Sequence, residues 1–518
     1  MSFPEGYNLA DLEDGNANII IENRDSNSSN STENLYSSIS SDTYQQRNSI
    51  QLITIDSDDD DEQILDNEIN WAELPSPAVE NIYSFLSRTD QSRMSQVCSR
   101  WSNDFNSPRL WKTMKFYLPE YDYSSEIYPE VRFALKYAPM FLHVEIICKT
   151  VRSHLTSVIW KQLTFFLKAM ASSSQLTSIK FIDMGKYFHR VDYIIYADIL
   201  KIIISFFNSQ KNLKTVVFQD SHFSKEEGME LLKAILSDST TVRNLTLRGF
   251  VYEATSTVLS RQYTLNLTEV CCRITNVQSL EVEYTQIFED VINNLFEMLS
   301  SGNYQLDKKK SSMTTLIIYS EDKAQTGFRG ILPGTWKYLT NAFPDLKVKM
   351  DVTIHSHLTN EMEKFLVREM PLQTLDFRFR KLSPRIDISS LLTYLQLCKY
   401  QNHLEVLNIL WLPSIADFAG SVHSFVQSCN KIKTLHLHAE RTPAGIENVL
   451  KAFLENHPMS LNSITLWFNN LQEGEGVDNL TALSEKYYAL FKSQGIECFL
   501  VLERSPRQRR RETNVIAP

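Results

Sequence analysis

The feature that most constrains the fold is a short apolar pattern that recurs along most of the chain. Each copy has an apolar residue, two residues of any type, a second apolar residue, one further residue and a third apolar residue. Twelve copies begin 28 to 37 residues apart. They start at Phe141, Leu176, Leu213, Val242, Val277, Met313, Phe343, Leu372, Leu404, Ile432, Leu461 and Ile496. Such regular recurrence indicates a structural repeat whose copies stack on one another.

Helix-length amphipathic segments separate these copies, and several of them carry helix-end signals. Ser224 and Glu227 form a capping box, and Thr442 with Pro443 opens another helix. Gly495 lies where the last helix should stop, because glycine readily adopts the left-handed conformation that ends helices. The sequence therefore predicts strands that alternate with helices.

This arrangement resembles the leucine-rich repeat in its longer form. The resemblance implies a curved α/β solenoid over residues 135–503, with parallel strands on the concave side and helices outside. The asparagine that typically follows such a strand is mostly missing, since Met184, Ser221 and Phe250 occupy equivalent places. The competing interpretation is a compact doubly wound α/β domain. The many strands, without a glycine cluster at a helix start, disfavour it.

A different, helical apolar periodicity fills residues 71–111. Ser76 can cap a first helix with Pro77 at its first position, and a second helix can begin at Thr89 or Asp90. The apolar side chains expected on the two helix faces are Val79, Ile82, Tyr83 and Leu86, then Met94, Val97, Cys98 and Trp101. A unit this small cannot bury enough apolar surface alone, so we expect it to dock on the rest of the chain or on another protein.

Several residues of this segment match one known module in order and spacing. They are the Leu74-Pro75 start, the step from Leu86 to Asp90, the Val97-Cys98-x-x-Trp101 core and the closing Pro108-x-Leu110-Trp111. Residues 71–118 are therefore similar to the F-box, by which substrate receptors of Skp–cullin–F-box ubiquitin ligases attach to the Skp adaptor. Gln91 departs from the pattern, because an apolar residue commonly follows the aspartate.

The F-box resemblance also implies which side chains form or support the adaptor-facing surface. These are Leu74, Pro75, Ile82, Leu86, Val97, Cys98 and Trp101. The competing interpretation of the segment is a small helical cap on the downstream domain.

The charge of the chain is unevenly distributed. The net charge is −10, yet residues 1–70 alone carry 16 acidic side chains against two arginines. Residues 504–518 carry five arginines against one glutamate, which leaves 45 acidic and 45 basic side chains between the two ends. This neutral body argues against a general nucleic-acid binder, which needs a basic face. The composition of both ends predicts a disordered acidic arm and a disordered basic tail.

The acidic arm contains one patterned segment. A short β-prone run, Leu52-Ile53-Thr54-Ile55, is followed at once by acidic residues that begin at Asp56. The segment resembles a SUMO-interacting motif, in which Leu52, Ile53, Ile55 and Asp56 would contact the modifier. Ser57, in front of four aspartates, also resembles a site for an acidophilic kinase. The alternative is a solvated linker with a chance apolar tetrad.

The sequence lacks the constellations that catalysis needs. It contains no phosphate-binding loop and no recognisable nucleophile grouping, so we predict no enzyme and no cofactor. The histidine pairs His355/His357 and His436/His438 each share a strand face, and we interpret them as ordinary strand residues rather than metal ligands. The seven cysteines have no zinc-like spacing and are predicted to be reduced thiols of a cytoplasmic or nuclear protein.

Together these patterns predict a non-catalytic substrate receptor. The F-box would bind the Skp adaptor, and through it the cullin–RING ligase, while the repeats would bind a protein to be ubiquitinated. The alternative is an interaction scaffold that does not promote degradation. No membrane partner is predicted, because the most apolar stretch, residues 193–207, is too short to span a bilayer and contains Asp198 and Lys201.

Overall fold

The described residues of the computed structural model form two compact units, which divide between residues 111 and 112. The described residues are 71–118, 129–148, 156–185, 193–237, 241–252, 261–284, 286–301, 313–321, 330–354, 360–379, 387–411, 418–439, 446–469 and 475–503. The predicted arm (1–70) and tail (504–518) lie outside them. We call residues 71–111 the helical unit and the described residues from 112 onward the repeat unit.

The helical unit consists of short helices around a small core. They are a 3-10 turn Trp71–Glu73, α1 (Ser76–Phe85), α2 (Arg88–Met94), α3 (Ser99–Phe105) and α4 (Pro108–Trp111). Val79, Tyr83 and Met94 form a buried cluster. Half-buried apolar side chains pack against this cluster, namely Leu74, Ile82, Leu86, Trp101, Phe105 and Leu110.

The predicted helix starts in this unit are wrong by one to three residues. Pro75, not Ser76, is the N-cap of α1, and its backbone is extended there. Ser87 caps α2, and its hydroxyl accepts a hydrogen bond from the Asp90 N–H at 3.2 Å. A capping side chain must precede the helix in extended backbone, and Ser87 meets this condition, whereas Thr89 lies inside the helix.

The predicted second helix is in fact two helices. The backbone of Cys98 is extended, at φ −154° and ψ 162°, so helical geometry is interrupted between α2 and α3. The Cys98 thiol sulfur accepts a hydrogen bond from the Trp101 N–H at 3.5 Å and thereby caps α3. Cys98, which the sequence predicted to lie on a helix face, is therefore a helix cap.

The repeat unit is built on one parallel sheet whose strands follow the order of the chain, from β1 to β13. The strands are β1 (Thr113–Leu118), β2 (His143–Cys148), β3 (Ser178–Ile182), β4 (Thr215–Gln219), β5 (Asn244–Arg248), β6 (Ser279–Glu283), β7 (Thr315–Glu321), β8 (Lys347–Ile354), β9 (Leu372–Phe379), β10 (Val406–Trp411), β11 (Thr434–Ala439), β12 (Ser463–Asn469) and β13 (Glu497–Glu503).

One α-helix lies between each pair of consecutive strands among the described residues. These helices are α5 (Pro129–Tyr137), α6 (Thr156–Ser173), α7 (Tyr193–Ser209), α8 (Lys225–Ile235), α9 (Arg261–Ile274), α10 (Gln286–Ser300), α11 (Pro333–Ala342), α12 (Asn360–Phe365), α13 (Ile388–Leu397), α14 (Phe418–Ser428), α15 (Ile446–Glu455) and α16 (Glu475–Ser493). A doubly wound sheet reverses its strand order at a switch point, and this order never reverses. The predicted leucine-rich-repeat-like α/β fold is confirmed.

The two faces of the sheet differ because side chains alternate along each strand. One face is buried beneath the helices: Phe116 of β1 contacts Phe166 of α6, with ring centroids 4.3 Å apart, and Phe181 of β3 contacts Phe207 of α7. The intervening side chains, such as Glu145 on β2, are half-buried on the other side. We call this second side the open face.

Each of the twelve predicted copies overlaps a strand, but the first strand and two registers differ from the prediction. We did not predict β1, whose Met114 and Phe116 are buried. In β8 the partners of Leu316 and Ile318 are Val348 and Met350, two residues later than predicted. In β13 the partners of Ile464 and Leu466 are Cys498 and Leu500, so the predicted core positions Phe499 and Val501 belong to the opposite face.

Buried side chains and backbone hydrogen bonds replace the missing asparagines after the strands. Met184, Ser221 and Phe250 are all buried. The backbone ladder also continues past the strand ends, since the Asp183 N–H donates to the Gln219 carbonyl at 2.9 Å. The backbone after these strands is therefore hydrogen-bonded without an asparagine side chain.

The remaining predicted helix ends have mixed outcomes. The capping box of Ser224 and Glu227 is present, with both reciprocal hydrogen bonds. Gly495 follows α16 at φ +79°, as its predicted role requires. Thr442 and Pro443 lie outside the described residues.

Candidate functional site

The helical unit exposes large apolar side chains that its own core does not use. Phe85 is 81% exposed, Val97 65% and Trp71 62%. The buried cluster of Val79, Tyr83 and Met94 includes none of these three residues. A core this small covers little apolar surface. These side chains are therefore available for contact with another protein.

The seven side chains implied by the F-box resemblance divide into an exposed group of two and a half-buried group of five. Pro75 and Val97 are exposed and can contact a partner directly. Cys98 is half-buried and caps α3. The remaining four, Leu74, Ile82, Leu86 and Trp101, are half-buried against the core. The half-buried group can support the surface from beneath, and only the exposed part of each of its side chains can contact a partner.

Phe85 and Trp71 are the exposed apolar residues that the sequence prediction missed. Along α1, Phe85 is six residues after Val79 and two after Tyr83, which places it opposite the buried stripe of the helix. An apolar residue on the polar side of an amphipathic helix was the available signal.

Gln91 shows how the unit accommodates a polar residue where an apolar one is common. Its side chain is buried, and its amide nitrogen donates to the Tyr83 carbonyl at 2.7 Å. Its amide oxygen accepts from the Arg88 guanidinium at 2.7 Å. A buried amide costs little free energy when it is hydrogen-bonded, so Gln91 is accommodated at this position. Its bond to the Tyr83 carbonyl also connects α2 to the end of α1.

Tyr83 connects α1 to α3 from inside the core. Its hydroxyl donates to the Trp101 carbonyl at 2.8 Å. Burial, reinforced by the charge of Asp104, raises the pKa of Tyr83 to about 12. The phenol therefore stays protonated and holds the two helices together.

The repeat unit has a cleft on the open face across β9, β10, β11 and β12. We call it the β9–β12 cleft; its volume is about 140 Å³. Side chains from all four strands line it, among them Asp376, Arg378, Asn408, His436, His438 and Trp467. The histidine pair predicted to share a strand face thus lies with a carboxylate, a guanidinium and an indole.

Comparison with known proteins identifies the module at the start of the described chain. The F-box-like family matches residues 71–117. The chain contains an F-box-like domain followed by a leucine-rich-repeat-like region. The F-box-like domain includes the helical unit and the first strand of the repeat unit.

Three curated relatives extend the similarity beyond the F-box-like domain. Proteins named F-box/LRR-repeat protein 21 from Ovis aries, Mus musculus and Bos taurus are each 22% identical to this chain, over 315, 320 and 327 residues respectively. Each match covers 60% of this chain and 65% of the relative, just under two thirds of its length.

Several predicted sites lie outside the described residues. They are the SUMO-interacting motif at Leu52, Ile53, Ile55 and Asp56, the phosphosite Ser57, and the pair His355 and His357. All seven cysteines lie among the described residues, none of them forms a disulfide, and five of them are buried. In the described ranges, no three His, Cys, Asp or Glu side chains are grouped to hold a metal ion. No helix in that part of the chain is both long and apolar enough to cross a bilayer.

Proposed function

We propose that this chain is the substrate-recognition subunit of a Skp–cullin–F-box ubiquitin ligase. The F-box-like match over residues 71–117 carries this proposal, because F-box domains in general bind the Skp adaptor of cullin–RING ligases. The helical unit would hold the adaptor, and the repeat unit would hold the protein to be ubiquitinated. The relatives named F-box/LRR-repeat protein 21 support the same pairing of modules.

The exposed side chains of the helical unit suit adaptor binding. Removal of apolar surface from water contributes about 25 cal/mol per Å², so burial of Phe85 and Val97 in an interface would favour association. The half-buried Leu74 and Leu86 would keep that surface in place. No residue of the chain needs to react in this function.

The mechanism we propose is positional. When a receptor holds its target beside the conjugating enzyme, the second encounter becomes intramolecular, with an effective concentration of roughly millimolar for a short tether. A lysine of the target then meets the charged enzyme far more often than it would by diffusion. We place this reaction in the cytoplasm, the nucleus or both.

Proximity labelling with the full-length chain tests the proposal in cells. We expect some labelled proteins to accumulate when the proteasome is inhibited. The double substitution Leu74→Ala plus Pro75→Ala should stop the proteasomal degradation of these proteins. It should not remove them from the labelled set. Labelled partners whose levels are independent of the inhibitor and of the double substitution would instead support a non-degradative scaffold.

The motif in the acidic arm is a separate proposal about regulation. A peptide of residues 45–65 should show NMR shift changes at Leu52, Ile53 and Ile55 when it is titrated with SUMO. Phosphorylation of Ser57 should strengthen the binding, because it adds negative charge. The absence of shift changes at millimolar SUMO would end this proposal.

A further inference from the structure

The size of the β9–β12 cleft limits what can occupy it. Pockets for cofactors and drug-sized molecules usually measure about 300–1,000 Å³. The cleft, at about 140 Å³, is smaller than this range. It therefore suits a single side-chain head group of a bound polypeptide better than a complete small-molecule ligand.

The charges around the cleft leave one carboxylate without a cation. The Arg378 guanidinium is already engaged, since its Nη2 lies 2.7 Å from Oδ2 of Asp351 on β8. Burial lowers the pKa of His436 below its ordinary value, so this imidazole is neutral at pH 7. Among the described residues, Asp376 forms no ion pair, and it accepts a hydrogen bond from the neutral Asn408 amide.

Asn408 adds a second acceptor beside this carboxylate. An ionised carboxylate can only accept hydrogen bonds, so the amide nitrogen of Asn408 must face Asp376. Within the described part of the chain, the amide oxygen of Asn408 then receives no hydrogen bond. Two neighbouring acceptors and an uncompensated negative charge favour a cationic donor.

An aromatic wall closes the cleft on the side of β11 and β12. The rings of His438 and Trp467 are stacked, with centroids 5.4 Å apart and planes 28° apart. The planar guanidinium of arginine stacks on indole faces and also pairs with carboxylates through two parallel N–H bonds. A lysine ammonium can pair with the carboxylate but does not stack in this way.

We propose that the β9–β12 cleft receives a basic side chain of the target polypeptide, arginine in preference to lysine. Asp376 pairs with the cation, and the stacked rings of His438 and Trp467 form the adjoining wall. This inference rests on the proposed function, because its occupant is part of the target. A phosphorylated side chain is the competing occupant, but Asp376 would repel it and Arg378 is held by Asp351.

Arrays of synthetic nonapeptides test this inference with the full-length protein. The peptides share randomised flanks and carry arginine, lysine, citrulline or phosphoserine at the centre. Citrulline keeps the shape of arginine and lacks its charge, so this comparison requires no protein variant. We expect arginine-centred peptides to be retained about five- to tenfold more than citrulline-centred ones, and lysine to be intermediate.

Three variants assign the preference to residues. Asp376→Asn should abolish the arginine preference, and Trp467→Leu should bring arginine down to the level of lysine. Glu145→Gln is the matched control, because Glu145 is a half-buried open-face carboxylate on β2 that pairs with Lys115 at 3.4 Å. It should leave the preference unchanged.

Two results would overturn the inference: equal retention of arginine and citrulline peptides by the wild-type protein, or higher retention of phosphoserine peptides. An undiminished preference in Asp376→Asn would also overturn it. Skp adaptor binding, measured on the same preparations, separates this inference from the proposed function. Loss of adaptor binding with intact arginine preference contradicts only the function, and the reverse result contradicts only the cleft.

Discussion

The helical unit and the repeat unit stabilise themselves in different ways. The repeat unit buries side chains from every strand in a ladder, in which Phe181 and Phe218 stack with centroids 4.9 Å apart. The helical unit buries only a small cluster around Val79 and Tyr83 and leaves Phe85 in solvent. Repetition gives each element two neighbours that cover its apolar face, whereas a few short helices lack such neighbours. The repeat unit also exposes apolar side chains, such as Ile194 and Met459, so the difference between the units lies in the size of their cores rather than in exposure alone.

Their polar groups follow the same division. In the repeat unit, parallel pairing satisfies backbone groups from strand to strand. In the helical unit, side chains add hydrogen bonds to helix carbonyls: Tyr83 donates to Trp101, Gln91 to Tyr83, and the Trp111 indole to Phe105 at 2.7 Å. Short helices have a high share of unpaired terminal groups, so they depend on individual side chains.

The largest expected effect concerns the strand ladder. Phe181→Ala removes a fully buried ring and should lower the free energy of unfolding by about 3–5 kcal/mol. The matched substitution Phe499→Ala, at a position 42% exposed on β13, should cost under about 1 kcal/mol. Denaturant unfolding of the full chain measures both. An equal loss of unfolding free energy in the two variants would contradict the observed register of β13 and support the one predicted from the sequence.

A smaller effect is expected in the helical unit. Gln91→Ala removes the side-chain donor to the Tyr83 carbonyl, which keeps its bond from the Leu86 N–H at 3.1 Å, and should destabilise the unit by about 0.5–1.5 kcal/mol. Gln96→Ala, at an exposed position, is the control and should change little. Hydrogen exchange of amides in α1 and α2 of the full chain reports the difference. If exchange in β9–β12 rose equally, the two units would not be energetically separate.

The smallest effect is a pH dependence in the repeat unit. Burial lowers the pKa of His436 in the folded chain, while the charge of Asp376 opposes this shift. The unfolded chain therefore takes up the proton first as the pH falls below about 6.5, and this costs folding free energy. We expect the loss of stability between pH 7.5 and pH 5 to be smaller in His436→Gln than in wild type. His143→Gln, at an exposed position on β2, should retain the wild-type loss.

The sequence predicted the repeat architecture because its signal is repeated twelve times, yet it could not fix each register. β8 carries alternate apolar residues from Leu346 to Val352, so a shift by two positions leaves the pattern intact. β13 is apolar at successive positions from Cys498 to Leu502, so either face could be buried. Pairing with neighbouring strands decides both cases.

The first strand was missed for another reason. Trp111, Met114 and Phe116 have the same spacing as the later copies, but Trp111 also closes the F-box pattern. Because Trp111 belongs to both patterns, the first copy of the repeat was assigned to the F-box pattern. Strand pairing of β1 with β2 resolves the ambiguity.

The candidate sites were predicted to different degrees. The F-box pattern identified the helical unit, but whether Leu74 supports the surface while Val97 is exposed on it depends on how the helices pack. The β9–β12 cleft combines Asp376, Asn408 and His436, which are about 30 residues apart in sequence. Only the strand register brings such residues together, so a single chain read in order gives no sign of the cleft.

The affinity of the full-length chain for the purified Skp adaptor, measured by calorimetric titration, tests the central proposal most directly. We predict that Phe85→Asp and Val97→Asp each weaken binding by at least about tenfold, the effect expected for a central interface residue. Met459→Asp, at a position 99% exposed in the repeat unit, should bind like wild type. No binding by the wild-type chain, or wild-type affinity in both Phe85→Asp and Val97→Asp, would contradict the assignment of the helical unit as the adaptor-binding surface.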